Sequence, residues 1–138
     1  MANAIYPLWS QEIMKGTSNN LLNSAEGATG VYCALVDTGT YTYSAAHQFY
    51  SSLSGIVGTD QEILTKTQVT GTFDGTDLTY TAVSGASVEA LVLYRKNGGA
   101  NTTWPLIAYI DTGVTGLPVT PNGGNITITW NASGIFKL

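Results

Sequence analysis

Charge is what this sequence has least of. Of its 138 residues only 10% are charged, five Lys or Arg against nine Asp or Glu, giving a net charge of -4. Average usage is ~25% charged, so the surface is either coated with Thr, Ser and Asn or covered by partners. So few cations under a negative balance argue against a nucleic-acid partner, because Lys and Arg supply the affinity for a phosphate backbone. The single cysteine permits no internal disulfide and no cysteine-rich zinc site. Long apolar runs are missing too: nothing approaches the ~18 residues that cross a bilayer, so no membrane partner is expected. The opening MANAIYPLWSQEIM has no basic residue ahead of an apolar run, and Pro7 and Ser10 interrupt it. It does not read as a signal peptide. Without one, the Asn-x-Ser/Thr sites at Asn101, Asn125 and Asn131 read as strand and turn chemistry.

What is present suits one globular domain. The apolar fraction of 43% is too high for a disordered chain. A chain of ~140 residues buries roughly two-thirds of its unfolded surface and needs no staple. Residues 4–15 are the best helix candidate. Pro7 suits a first turn, Ile5, Leu8, Trp9 and Ile13 fall near helical spacing, and Gly16 is placed to stop it. Residues 17–29 read as a loop. Val31 to Val36 is apolar on both faces, as in a covered central strand, and Asp37-Thr38-Gly39 turns the chain. Tyr41 to Tyr43 continues as a strand, and Ser44 caps a short helix through His47, Tyr50 and Leu53 up to Gly55. The Thr-rich segment 61–73 favours strand.

From Phe73 onward, consecutive strands are expected. Leu78, Tyr80 and Ala82 share one face, and Val88 to Tyr94 and Leu106 to Ile110 are buried runs. Asn97-Gly98-Gly99 and Asn122-Gly123-Gly124 are strong turn signals. Pro118 and Pro121 bracket a loop or edge segment, and Ile126 to Trp130 alternates strictly. A last short strand is expected over Ile135 to Leu138. These features predict a mainly β, antiparallel β-sandwich or jelly-roll-like single domain over 30–138. Immunoglobulin-like and barrel arrangements stay open. Residues 1–29 form an N-terminal helix and connecting arm, which either caps the sandwich or reaches a neighbour.

No motif carries chemistry convincingly. Asp-Thr-Gly occurs at 37–39 and again at 111–113, each after apolar residues. Paired loops of that kind let two carboxylates share a proton in aspartic proteases. Here each half would be too small for a lobe, Thr40 and Val114 follow where Ser or Ala is usual, and a strand ending in a turn favours Asp and Gly anyway. His47, the one histidine, has no Gly-x-Ser-x-Gly partner, and Cys33 lies inside an apolar strand. Asp60, Glu62, Asp74 and Asp77 lack the ligand pattern of a calcium loop, so no metal or cofactor is expected. Trp9, Trp104 and Trp130 suggest a carbohydrate platform less than they suggest core and interface. No catalytic residue is assigned, and the protein is not expected to be an enzyme.

Three stretches, ALVDTGTYTYSAAHQFYSSLSGIVGT, VSGASVEALVLYR and AYIDTGVTGLPVTPNGGNITITW, together with the opening ANAIYPLWSQEIM, resemble a group of small tailed-bacteriophage virion proteins. The likeness is to whole sequences and carries no catalytic residues over. Within that group the chain is most similar to capsid decoration, or cement, proteins. The resemblance implies a structural virion protein, made in the bacterial host cytoplasm and bound to the outer capsid. It implies the major capsid protein and further copies of itself, as a homotrimer, for partners. A tail, baseplate or fibre component and a carbohydrate-binding β-sandwich on the particle are the alternatives. Ile5, Tyr6, Leu8 and Trp9 give the N-terminal segment more apolar surface than a loose terminus needs, and they are the candidate contact with capsid or neighbour.

Overall fold

The computed structural model describes residues 3–20, 22–23 and 25–138. Met1, Ala2, Leu21 and Ser24, all within the expected N-terminal arm, lie outside the described residues. The described residues form a single, mainly β domain of antiparallel sheets with one α-helix. In chain order the elements are β1 (Ala4–Ile5), α1 (Pro7–Met14), β2 (Val31–Val36), β3 (Ile56–Glu62), β4 (Thr67–Val69) and β5 (Thr72–Asp74). They continue as β6 (Leu78–Tyr80), β7 (Ala90–Arg95), β8 (Leu106–Ile110), β9 (Ile126–Ile128) and β10 (Phe136–Lys137).

The main sheet has the order β1-β8-β7-β2-β3. Its middle strands, β2, β7 and β8, are the continuous apolar runs, buried on both faces except at Tyr32 and Arg95. Such strands must be covered twice. Cross-strand register sorts their side chains. Cys33 and Leu35 stand beside Leu93 and Leu91, and on the opposite face Tyr32, Ala34 and Val36 stand beside Tyr94, Val92 and Ala90.

The first of these faces is covered by strands. The β6–β9 pair alternates as its sequence requires: Leu78, Tyr80, Ile126 and Ile128 are buried, while Thr79 and Thr127 are exposed. The Tyr80 hydroxyl donates to the carbonyl of Cys33 at 2.9 Å, tying this pair to the main sheet. A third sheet, β10-β5-β4, extends the layer. The second face is covered by the irregular segment 38–55, whose Tyr43 ring lies 5.5 Å from Tyr109 and whose Tyr50 ring lies 4.4 Å from Tyr94.

That covering segment departs from expectation. The predicted helix from Ser44 to Leu53 is one 3-10 turn, Tyr50–Ser52, and Tyr41–Tyr43 pairs with no strand. The reason is where its backbone bonds go. Leu106 N–H donates to Gln48 at 2.9 Å and Tyr50 N–H to Trp104 at 2.8 Å, so the segment is laced to the chain entering β8 and cannot close a helical ladder on itself.

The N-terminus also differs from its expected arm. Ala4 and Ile5 pair with Tyr109 and Ala108 and complete the main sheet, so the helix starts later, at Pro7. The Tyr6 N–H continues that edge to the Ile107 carbonyl at 3.0 Å. Gly16, at φ +74, ends the helical segment in the left-handed conformation that favours glycine. Residues 4–14 are therefore built into the domain through β1 and α1. No helix among the described residues is long and apolar enough to cross a membrane.

Candidate binding site

The most distinctive polar group in the molecule is the Asp60 carboxylate. Its strand, β3, is bulged against β2: Cys33 faces Gln61 and Leu35 faces Val57, so two residues on β2 span four on β3. Gly58 takes up the extra length at φ +72. Strand alternation from Gln61, which stands beside Cys33, places Asp60 on the opposite face, the one covered by 38–55. There Oδ2 accepts hydrogen bonds from the Tyr50 and Tyr94 hydroxyls, both at 2.8 Å. Oδ1 is out of solvent and accepts no hydrogen bond from the described residues. Burial raises the Asp60 pKa, against the lowering effect of the Tyr94 and Tyr50 hydroxyls and of the Lys96 charge. Burial, and then the nearby carboxylate, drive both tyrosines upward, so each remains a donor.

Around this carboxylate stands a ladder of rings. Tyr32 of β2 stacks on Tyr94 of β7 at 6.0 Å, and Tyr94 stacks on Trp104 at 5.8 Å with planes 10° apart. Tyr50 sits edge-on to Trp104 at 5.4 Å. The Lys96 ammonium lies 4.0 Å over the Tyr32 ring and 5.2 Å from that of Trp104. The Trp104 indole N–H donates to the Gly99 carbonyl at 3.0 Å, which fixes its ring against the Asn97-Gly98-Gly99 turn. Tyr50, Ile56, Gly58, Thr59, Asp60, Tyr94, Lys96, Asn101 and Trp104 line an open groove of about 460 Å³. It holds one acid and one base among aromatic rings, a composition suited to binding.

The residues singled out in the sequence are placed elsewhere. Tyr6 and Trp9 are fully buried. The Tyr6 hydroxyl pairs with that of Tyr41 at 2.8 Å, which in turn meets His47 Nδ1 at 2.8 Å. The Trp9 indole donates to the Asn20 carbonyl at 3.0 Å and its ring meets Phe136 edge-on at 6.0 Å. Ile5 is half-buried in the sheet edge and Leu8 half-buried on α1. The expected contact patch Ile5, Tyr6, Leu8 and Trp9 is thus divided, with its two largest side chains spent on the protein's own core. A helical spacing cannot reveal this, because the first two of these residues straddle an edge strand.

The two Asp-Thr-Gly loops are turns. Asp37 accepts the Gly39 N–H at 2.8 Å and the Thr40 hydroxyl at 2.9 Å, and Asn3 accepts the N–H groups of Asp111 and Thr112 at 2.8 and 3.0 Å. They close the same end of the sheet, but β7 runs between β2 and β8. Two strand spacings, about 10 Å, separate them, too far to share a proton. Burial raises the Cys33 thiol to about 12. Asp74 and Asp77 are engaged by the Gly75 and Trp130 N–H groups, and Glu62 by Gly27. No group of three or more metal-ligating side chains occurs among the described residues.

Nothing in the linear sequence advertises the Asp60 groove, because its walls come from four separate segments. The nearest signal is a carboxylate in a strand whose neighbours across the sheet are tyrosines. No family model matches the chain, and the curated proteins compared with it include none that matches.

Proposed function

We propose that the protein is a structural component of a tailed-bacteriophage particle, a decoration protein that binds the outside of the capsid and stabilises the mature shell by bridging major-capsid subunits. The observation that carries this reading is the surface. With 10% of residues charged, the exposed strand and turn positions are filled largely by Thr, Ser, Asn and Gly, such as Thr79, Thr127, Asn122 and Ser133. Permanent contacts favour such a surface, since charges would have to be desolvated at a cost. The resemblance to virion proteins agrees with it. A decoration protein acts by mass action: tighter binding to the assembled lattice than to free subunits shifts the equilibrium toward the shell.

Since Tyr6 and Trp9 are buried in the domain's own core, another surface is proposed for the contact. Among the described residues, the large apolar side chains that remain exposed are Met14, Leu64, Val69 and Leu138. Val69 and Leu138 stand at one end of the β10-β5-β4 sheet, where Leu138 N–H donates to Gly71 at 2.9 Å. This end is the proposed capsid contact. Co-sedimentation of purified protein with capsids tests the reading, with quantitative proteomics of the particle for copy number. Saturable binding at hundreds of copies per particle is expected, and Val69→Asp with Leu138→Asp should remove it. A few to a few dozen copies would move the protein to tail, baseplate or fibre. No association with particles would end the virion reading.

A further inference from the structure

We propose that the Asp60 groove is a binding site for a neutral saccharide. Its volume of about 460 Å³ falls within the ~300–1,000 Å³ usual for small-molecule sites. Three properties of its lining select the ligand class.

The first is charge. Asp60 and Lys96 both line the groove and offset one another. Neither an anion nor a cation gains a net opposite charge on entering. A neutral ligand avoids the desolvation of a further ion and uses both groups as hydrogen-bonding partners.

The second is the state of the rings. The place over Tyr32 and Trp104 where an ammonium ligand would settle is already taken by Lys96. An amine would have to displace it, at the loss of a cation–π contact. Tyr50 and Trp104, both partly exposed, still offer apolar ring surface to the groove. A pyranose has the matching shape, with an apolar C–H face for an aromatic ring and hydroxyls around its rim.

The third is unmet acceptor capacity. Asp60 Oδ1 lies out of solvent without a donor among the described residues, while both tyrosine hydroxyls are spent on Oδ2. A buried acceptor in that state lacks the hydrogen bond that usually compensates its burial. Asp60 is part of the groove lining, and a sugar hydroxyl, which is a donor, would supply the hydrogen bond that oxygen lacks. The Asn101 amide and Lys96 ammonium supply donors for the ring and linkage oxygens at the rim.

This proposal is independent of the capsid contact, which lies on the β10-β5-β4 sheet. The test begins with a glycan array carrying neutral, amino and acidic oligosaccharides. It continues with an NMR titration of the intact protein with the best-retained glycan. Retention of neutral glycans is expected, with shifts concentrated on the Trp104 indole, Tyr50, Asn101 and Lys96. Trp104→Ala should lower affinity at least tenfold, while Thr127→Ala, at an exposed position of β9, leaves it unchanged. If Trp104→Ala proves unfolded by circular dichroism, the wild-type shift map decides the matter. Retention of no neutral glycan overturns the proposal, as does a preference for acidic or amino sugars. Shifts located away from the groove overturn it equally. Folded Trp104→Ala should still co-sediment with capsids, so failure of either reading is visible without the other.

Discussion

The two faces of the main sheet are covered by different means. On one, Cys33, Leu35, Leu91 and Leu93 lie under a layer of short strands, and the contact is largely aliphatic, with the Tyr80 hydroxyl satisfied by a backbone carbonyl. On the other, Tyr32, Val92, Tyr94 and Tyr109 lie under an irregular segment that contributes Tyr41, Tyr43, His47 and Tyr50. The first cover needs no specific polar partners beyond its own ladders. The second is joined by the Tyr41 hydroxyl to that of Tyr6 and by the Tyr50 hydroxyl to the Asp60 carboxylate. An irregular chain cannot satisfy its own backbone as a sheet does, so its side chains and the neighbouring strands must do so. That polar cover is what creates a groove with chemistry in it.

The difference is tested most severely by alkali. Burial raises Tyr6, Tyr50 and Tyr94 on the loop-covered face and Tyr80 on the other, against a value of 10.0 in the unfolded chain. Groups raised on folding contribute stability that is fully present below the unfolded value and is lost as pH climbs toward the folded one. Above pH 10 the fold should therefore be lost, with phenolate absorbance and loss of circular dichroism rising together. Buried tyrosines that ionised while the spectrum stayed native would contradict this. Hydrogen exchange should report opening first at 38–55, which holds Tyr50 against Tyr94 and bonds Tyr6 through the Tyr41 hydroxyl.

A cavity on the strand-covered face comes next. Leu93 is fully buried between β2 and β8. Leu93→Ala should cost about 2–5 kcal/mol in urea unfolding. A smaller loss would mean that this face repacks more freely than its strands suggest.

On the other face, Tyr94→Phe leaves Asp60 with one donor in place of two. A loss of about 1–3 kcal/mol is expected, since the carboxylate stays buried. Combined with Asp60→Asn, the second substitution should cost less than it does alone, because the partner charge has gone. Strict additivity would show that the two groups do not act as a unit. The smallest effect belongs outside both faces: Val69→Thr, on an exposed strand, should change stability by no more than ~0.5 kcal/mol.

Legibility in the sequence followed the kind of cover. β2, β7 and β8 were readable because a strand buried on both faces is an unbroken apolar run, and β9 because one buried on a single face alternates. Segment 44–53 was unreadable for a related reason. Its aromatics look like a helical stripe, yet they are spaced to reach several strands of one sheet. Trp9 carried the right signal, a large apolar residue on a short helix, but sequence alone cannot say whose core it fills. Asp60 carried almost none, since a lone carboxylate in a Thr- and Gly-containing strand looks like any solvent-facing residue.

By itself, then, the sequence determined a β-rich, charge-poor domain with turns at its Asn-Gly and Asp-Thr-Gly sites. Those properties depend on neighbours a few residues apart, through alternation, backbone conformation and composition. Only the tertiary structure decided that Ala4–Ile5 is an edge strand, that the two Asp-Thr-Gly loops stand apart, and that Asp60 meets Tyr50, Tyr94, Lys96 and Trp104. Each of these rests on pairings between distant segments. Their register is set by a bulge at Gly58 and by the burial of whole faces, and neither can be computed from a local pattern.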